Sequence, residues 1–274
     1  MNLGLVRAFF DEYQIVFANT KQLIHQVFSI RHQVYCEEYH YEREAWPGME
    51  VDVFDAYSHH FLIKHVETDQ YVGTIRTVLP QYESEQGLPM QQYTALKYQP
   101  EQWNPNLWSK PQVAEISRLA VLKQYRSIGL KARYLSRRMR QLPIVVIALY
   151  VAVAAEYRLS KQRQFLYLTV QTRLARHLKM VGVCFEQIGD EIDCRGPRAP
   201  FVLRREVWNT GFRGEINDLF TTVINKLEDE NIAQQGFVEV SQNDVQVELG
   251  HENRTEQEPY ISPKVLKENR GIAT

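Results

Sequence analysis

Apolar residues recur along this chain with two periods, one near 3.6 residues and one near 2. Over residues 21–39, Leu23, Ile24, Val27, Phe28 and Val34 fall near helical spacing and predict a helix. Residues 60–66 and 71–79 predict two strands, with Glu67-Thr68-Asp69-Gln70 as a hairpin turn between them. Residues 84–110 are rich in Gln, Pro, Trp and Tyr but have no clear period, which predicts a long ordered loop with one short helix at most. Residues 113–122 read as a strand, and a basic helix is expected after Gly129. Pro143 then opens an apolar helix over 144–157, a position where its missing N–H has no helical partner to lose. A strand over 165–170 and a helix over 174–181, ended by Gly182, come next. Strands over 184–188 and 201–208 close the pattern, with Arg195-Gly196-Pro197-Arg198-Ala199-Pro200 as the loop between them.

Strands that alternate with helices around a central sheet predict an α/β (α+β) sandwich. After Gly214 the pattern changes. Ile216, Leu219, Phe220, Val223, Ile224 and Leu227 mark one amphipathic helix, followed by an acidic, polar tail expected to be partly disordered. The expected division is therefore a domain over 1–214 and an extension over 215–274. The helix is expected to pack on its own domain; covering a sheet edge or docking a partner are its other possible uses.

Composition narrows the class. Of 274 residues, 44% are hydrophobic and 24% charged, which excludes a wholly disordered or collagen-like chain. Lys plus Arg number 32 against 33 Asp plus Glu, so a globally basic nucleic-acid binder is excluded. The longest apolar run, residues 142–155, falls short of the about 20 residues a membrane span needs and reads as a buried helix. The first residues lack a signal-peptide layout. Cys36, Cys184 and Cys194 are too few and too scattered for a disulfide framework or a zinc site, so no metal is expected and a reducing, bacterial-type cytoplasm fits. The neutral total hides a local field. Residues 116–155 contain no acid, yet hold Arg118, Lys123, Arg126, Lys131, Arg133, Arg137, Arg138 and Arg140. That stretch is either a docking surface or a solvated face that pairs with acids elsewhere.

Two clusters carry chemistry. Glu50-x-Asp52-x-x-Asp55 places three carboxylates within six residues. They repel one another unless they face water or meet cations, and Arg31 and Arg76 are the candidate partners. Arg76 stands in Thr74-Ile75-Arg76-Thr77-Val78, where its stem is expected to be half buried and its head to need a partner. The second cluster is Glu115-Ile116-Ser117-Arg118-Leu119-Ala120-Val121. On a regular strand Glu115 and Arg118 point to opposite faces, whereas a β-bulge would bring them to one face and free a backbone N–H for a developing oxyanion. Arg126-x-x-Gly129 follows, where a helix N-terminus and an arginine could hold a phosphate.

In this order the elements resemble the GNAT N-acyltransferase fold. Arg31-x-x-Val34-Tyr35, the acidic triplet, Arg76 and Glu115-x-x-Arg118 resemble the acyl-homoserine-lactone (autoinducer) synthases and N-acyl amino acid synthases. The strings from Arg31 to Glu38, Glu115 to Val121 and Gly196-Pro-Arg198-x-Pro200 are most similar to acyltransferases associated with PEP-CTERM/exosortase systems. The resemblance spans about residues 10–208. It implies an acyl donor on phosphopantetheine, usually acyl carrier protein, a small amine acceptor, and no permanently bound cofactor. It also implies a polar cluster of Arg31, Glu50, Asp52, Asp55, Arg76, Glu115 and Arg118. Lys131, where this fold often has a small residue, disfavours a CoA pyrophosphate, and Val34-Tyr35 in place of Phe argues against S-adenosylmethionine as acceptor.

The expected reaction is direct attack of an amine on an acyl thioester. Glu115 is the first candidate base and Asp52 the second. Arg118 and Arg76 would grip carboxylates, of the substrate or of the acidic cluster. The backbone of Ala120, Val121 and Leu122 would receive the pantetheine chain, and Arg126 and Gly129 its phosphate. Cys36 is a minor candidate nucleophile, since no histidine stands at a persuasive spacing. The alternatives are a non-catalytic GNAT-like binding module and a short-chain, CoA-dependent acetyltransferase.

Overall fold

A mixed sheet of eight strands organises the chain, with neighbours in the order β1-β2-β3-β4-β5-β8-β6 and β7 also paired to β8. The computed structural model describes residues 4–93, 96–131, 137–140, 143–208 and 212–240. The strands are β1 Tyr13–Phe17, β2 Ser58–His65, β3 Gln70–Val78, β4 Val113–Val121, β5 Phe165–Val170, β6 Glu186–Gln187, β7 Ile192–Asp193 and β8 Pro197–Arg204. β1 to β4 form an antiparallel meander, whereas β4 and β5 run parallel. A parallel pair needs a crossover, which the helix between them supplies. The helices are α1 Gly4–Glu12, α2 Lys21–Arg31, α3 Arg137–Arg140, α4 Ile144–Leu159, α5 Thr172–Met180 and α6 Glu215–Asp229.

Alternation along the strands sorts side chains into two layers. Phe61 and Ile63 of β2 face α1, α4 and α6, while Leu62 between them faces α2. From Ile144 to Tyr157 every residue of α4 except Val146 is buried, because α4 lies between the sheet and α6. An apolar helix without a polar face is thus a core helix here. α6 brings Ile216, Leu219, Phe220, Val223 and Leu227 into that same core. Among the described residues no helix is long and apolar enough to cross a membrane.

Several expected elements shift. α1 and β1 have no counterpart in the sequence reading: the helix runs straight into the strand at Glu12 and Tyr13, so no turn residue separates their periods. The helix expected over 21–39 is α-helical to Arg31 and π-helical over His32–Glu38. The strand expected over 201–208 starts at Pro197 and ends at Arg204, so part of the expected loop is strand. Pro200 is tolerated because Ile188 N–H still donates to its carbonyl at 2.9 Å, while Ile188 O takes the Gln99 N–H at 2.7 Å in place of the donor proline lacks. The strand expected over 184–188 shrinks to the two residues of β6. Residues 84–110 carry short 3-10 turns at Pro89–Gln92, Glu101–Trp103 and Pro105–Leu107. The start of the basic helix, Arg133, the Arg138 side chain and the tail from 241 lie outside the described residues.

Leu219 is fully buried between α6 and the core, so Leu219→Ala should lower unfolding free energy by about 2–5 kcal/mol. Urea unfolding followed by two probes checks this, with a single transition expected in both proteins.

Candidate active site

The candidate site begins with one extra residue in β4. Against β3, Thr74 faces Ala120 but Arg76 faces Ser117, so three steps on β4 match two on β3. Arg118 absorbs the difference in the left-handed conformation, at φ +50°. The expected irregularity is therefore present. It turns Glu115, Ser117 and Arg118 to the α2 face, and returns Leu119 and Val121 to the α4 face.

On the α2 face three guanidinium groups meet three carboxylates. Arg31 and Arg76 both have 0% exposure. Arg31 holds Asp55 in a fork at 2.7 and 3.0 Å and reaches Glu50 with Nε at 2.5 Å. Arg76 holds Asp52 in a second fork at 2.5 and 3.0 Å, reaches Asp55 at 2.8 Å and donates from Nε to Ser117 Oγ at 3.0 Å. Arg118 Nη2 lies 3.0 Å from Glu50 and 2.9 Å from Asp52, with its guanidinium 5.8 Å from the Tyr35 ring centre. The segment carrying the acids is pre-shaped: Asp55 accepts the Asp52 N–H at 2.8 Å and Asp52 accepts the Phe54 N–H at 2.9 Å, capping a 3-10 turn over Val53–Tyr57. The structure thus brings together Arg31, Glu50, Asp52, Asp55, Arg76 and Arg118, as their charges required.

Sequence reading missed three members of this neighbourhood. Glu42 bridges Arg118 and Arg195, Ser117 receives Arg76, and His60 lies 3.6 Å from Asp55. Only Ser117 left a signal, since a bulged strand that carries Arg118 also turns Ser117 inward.

Glu115 stands on the same face but outside the ion pairs. Its carboxyl accepts the Met90 N–H at 2.8 Å, and burial pushes its pKa up to about 8 despite Arg76 and Arg118. Asp52 and Asp55 take the opposite course. Burial would raise both, yet Arg76 and Arg118 hold Asp52 below the usual carboxylate range, and Arg31 and Arg76 hold Asp55 well below it. Asp52 is therefore a weak base here, and Glu115 the better one. Burial takes His60 down to about 3 in spite of Asp55, so this histidine carries no charge. Burial, with Glu50 and Glu44, pushes the Cys36 thiol up to about 11, which leaves little thiolate to act as a nucleophile.

The phosphopantetheine-side residues are placed differently. β4 pairs with β5 only as far as Ile116 and Leu168, while β5 continues against β8 to Val170, so the sheet splits beyond Ile116. Leu122 N–H is spent on Val72 O at 2.9 Å, and the two-residue period turns Ala120 to β3 as well. Of the three expected backbone groups only Val121 faces the split, where its carbonyl accepts Arg126 Nε at 2.8 Å. Arg126 also forms a fork on Glu38 at 2.5 and 2.6 Å and stacks over Tyr39. It is thus engaged by protein groups, and Gly129 lies in a loop rather than at a described helix start. Lys131 N–H donates to Glu12 at 2.6 Å, which sets a carboxylate in that loop. Among the described residues no cluster of three His, Cys, Asp or Glu could hold a metal ion.

Residues 30–135 match the sequence profile of the acetyltransferase (GNAT) domain. That stretch runs from the end of α2 through β4, so it contains the charge network, and the mixed sheet that splits beyond Ile116 is GNAT-like. No curated protein matches the chain. Among solved structures it is similar to the acyl-homoserine-lactone synthase LasI, at 18% identity and TM-score 0.45 over 70% of this chain and 88% of that one. FeeM, an N-acyl amino acid synthase from uncultured soil microbes, aligns at 15% identity and TM-score 0.47 over 72% and 92%. BjaI, a CoA-dependent acyl-homoserine-lactone synthase, aligns at 17% and 0.45 over 87% and 99%. Similarity of this extent assigns no residue a role here.

Two measurements test the electrostatics. The folded protein binds the Glu115 proton more tightly than an unfolded chain with the ordinary value of 4.5, so this group's stabilisation is present in acid and lost as pH rises to about 8. Glu115→Gln cannot ionise, so its Tm relative to the parent should climb between pH 6 and pH 9; a constant difference would contradict the raised pKa. Asp55→Asn breaks the buried network and should cost about 3–5 kcal/mol in denaturant unfolding at pH 7.

Proposed function

We propose that the protein moves a fatty acyl group from a phosphopantetheine thioester, with acyl carrier protein as the donor, to the amine of a small amino-acid-like acceptor. The observation that carries this reading is the bulge at Arg118. It turns Arg118 to the face that carries Glu115, whose proton affinity is matched to neutral pH, next to where the β4–β5 pairing ends. In the reaction the amine nitrogen bonds to the thioester carbon, the C–S bond breaks and the thiol leaves. The proton lost by the amine passes to Glu115 through water. The part-exposed Arg118 guanidinium would orient an acceptor carboxylate, while Arg76, fully buried, holds Asp52 and Asp55 in place. Kinship with the PEP-CTERM/exosortase-associated acyltransferases rests on the Arg31–Glu38, Glu115–Val121 and Gly196–Pro200 strings.

The preference for a carrier protein has two supports. Glu12 in the Lys131 loop opposes a CoA pyrophosphate, and the exposed Arg137 and Arg140 sit in the acid-free stretch, suited to an acidic partner.

Purified protein incubated with palmitoyl-acyl carrier protein and mixed amino acids should release carrier thiol and an equal amount of N-acyl amino acid, read by mass spectrometry. Absence of product with every amine and with both carrier-protein and CoA donors would leave the binding-module reading. Glu115→Gln should keep the fold and lose about 10²–10⁴-fold in rate. The parent kcat/KM should rise with pH to a plateau above about 8, because the base works deprotonated. Reversal of Arg137 and Arg140 to Glu should raise KM several-fold for the carrier-protein donor, more so at low salt, and leave acyl-CoA use nearly unchanged. Equal effects on both donors would refute docking at this face.

A further inference from the structure

On the sheet face opposite the charge network lies a cavity of about 430 Å³, within the range of small-molecule sites. Consecutive residues divide the two faces: His60 turns toward Asp55, and His59 toward α4, where it lines the cavity. His59 Nδ1 lies 2.5 Å from Glu156 Oε1, and Thr77 stands directly across the β2–β3 ladder from His59. All three side chains are more than nine-tenths buried. Yet His59 Nε2, Glu156 Oε2 and Thr77 Oγ1 have no hydrogen-bond partner among the described residues. Buried polar atoms are rarely left so, a carboxylate oxygen least of all.

The chemistry of the three atoms is one-sided. In the tautomer whose Nδ1–H donates to Glu156, Nε2 presents a lone pair. The carboxylate oxygen is an acceptor, and the hydroxyl can accept. Three acceptors on the lining of one cavity match the three N–H donors of a primary ammonium. Leu79, Ala114 and Phe237 supply apolar wall, and Lys161 and Arg163 place positive charge on the cavity's lining. The Arg163 guanidinium is fixed there by the Pro80, Lys110 and Val113 carbonyls at 2.6–2.9 Å.

We propose that this cavity is a second binding site, for a small zwitterion whose primary ammonium is held by Glu156, His59 and Thr77 and whose acid group faces Lys161 and Arg163. It shares no residue with the acyl-transfer site, and binding is read without turnover, so its failure leaves the proposed reaction standing.

Isothermal titration calorimetry of the full chain with glycine, L-leucine and 6-aminohexanoate tests it, with hexanoate as the probe lacking an ammonium. At least one amine should bind with one-to-one stoichiometry, and hexanoate at least ten-fold more weakly than 6-aminohexanoate. Thr77→Val keeps shape and removes only the hydroxyl, so it reports on the site even if Glu156→Gln fails to fold. Each folded variant should weaken the bound amine at least ten-fold. No binding by any amine, equal binding of hexanoate, or unchanged affinity in Thr77→Val would each overturn the proposal.

Discussion

The mutual burial of Arg31 and Arg76 with Glu50 and Asp55, and with half-buried Asp52, is the constraint on which the rest of the structure depends. Neither guanidinium can leave water alone, because an unpaired buried charge is costly. Each therefore enters the interior only with its carboxylates in place. Those carboxylates lie on a segment whose own backbone N–H groups they cap, so the 3-10 turn, α2 and β3 become ordered together. Arg118 joins from β4 and closes the set. Four separate stretches of chain are thereby held in one geometry by groups that mean little singly, and α2 has one docking position on the sheet rather than a choice of apolar contacts.

That neutralised cluster also sets the contrast on which the proposed chemistry rests. Within one face of the sheet, carboxylates with arginine partners hold their charge far into acid. Glu115, buried and outside the ion pairs, keeps its proton to about pH 8 although the Met90 N–H and the arginines pull the other way. Environments that drive like groups apart in proton affinity assign acid and base roles. The arginines fix the framework and hold their own carboxylates ionised, while burial alone lifts the neighbouring unpaired carboxyl toward neutrality.

Much of this was legible in the sequence where a pattern repeated. α2, the β2–β3 hairpin, α4 and α6 follow from periodicity, and the charge network from the need of Arg76 and the acidic triplet for partners. The bulge was legible because Glu115 and Arg118 could not otherwise share a face. Illegible elements lacked a local signal. α1 and β1 are too short for either period to stand out, and β8 opens on prolines that pairing elsewhere makes tolerable. The surroundings of Arg126 were illegible for another reason. Its motif said where a phosphate could sit, but not that Glu38 and Tyr39, nearly ninety residues earlier, would fold onto the same guanidinium.

The bulge at Arg118 has a consequence for how this strand can change over evolutionary time. Upstream of it, Ala114 and Ile116 face α4; downstream, Leu119 and Val121 do. The parity of the buried positions is inverted at a single residue. Straightening the bulge with the residue count unchanged would turn Ala120 and Leu122 toward α4 and Val121 toward α2, exchanging the two layers at a stroke. Loss of Arg118 itself would instead leave a regular strand with both layers as they are, at the cost of one guanidinium in the network. The bulged position is thus the one place in this strand where a deletion is absorbed without reshuffling the core, and a relative that keeps this arginine must keep the bulge that holds it.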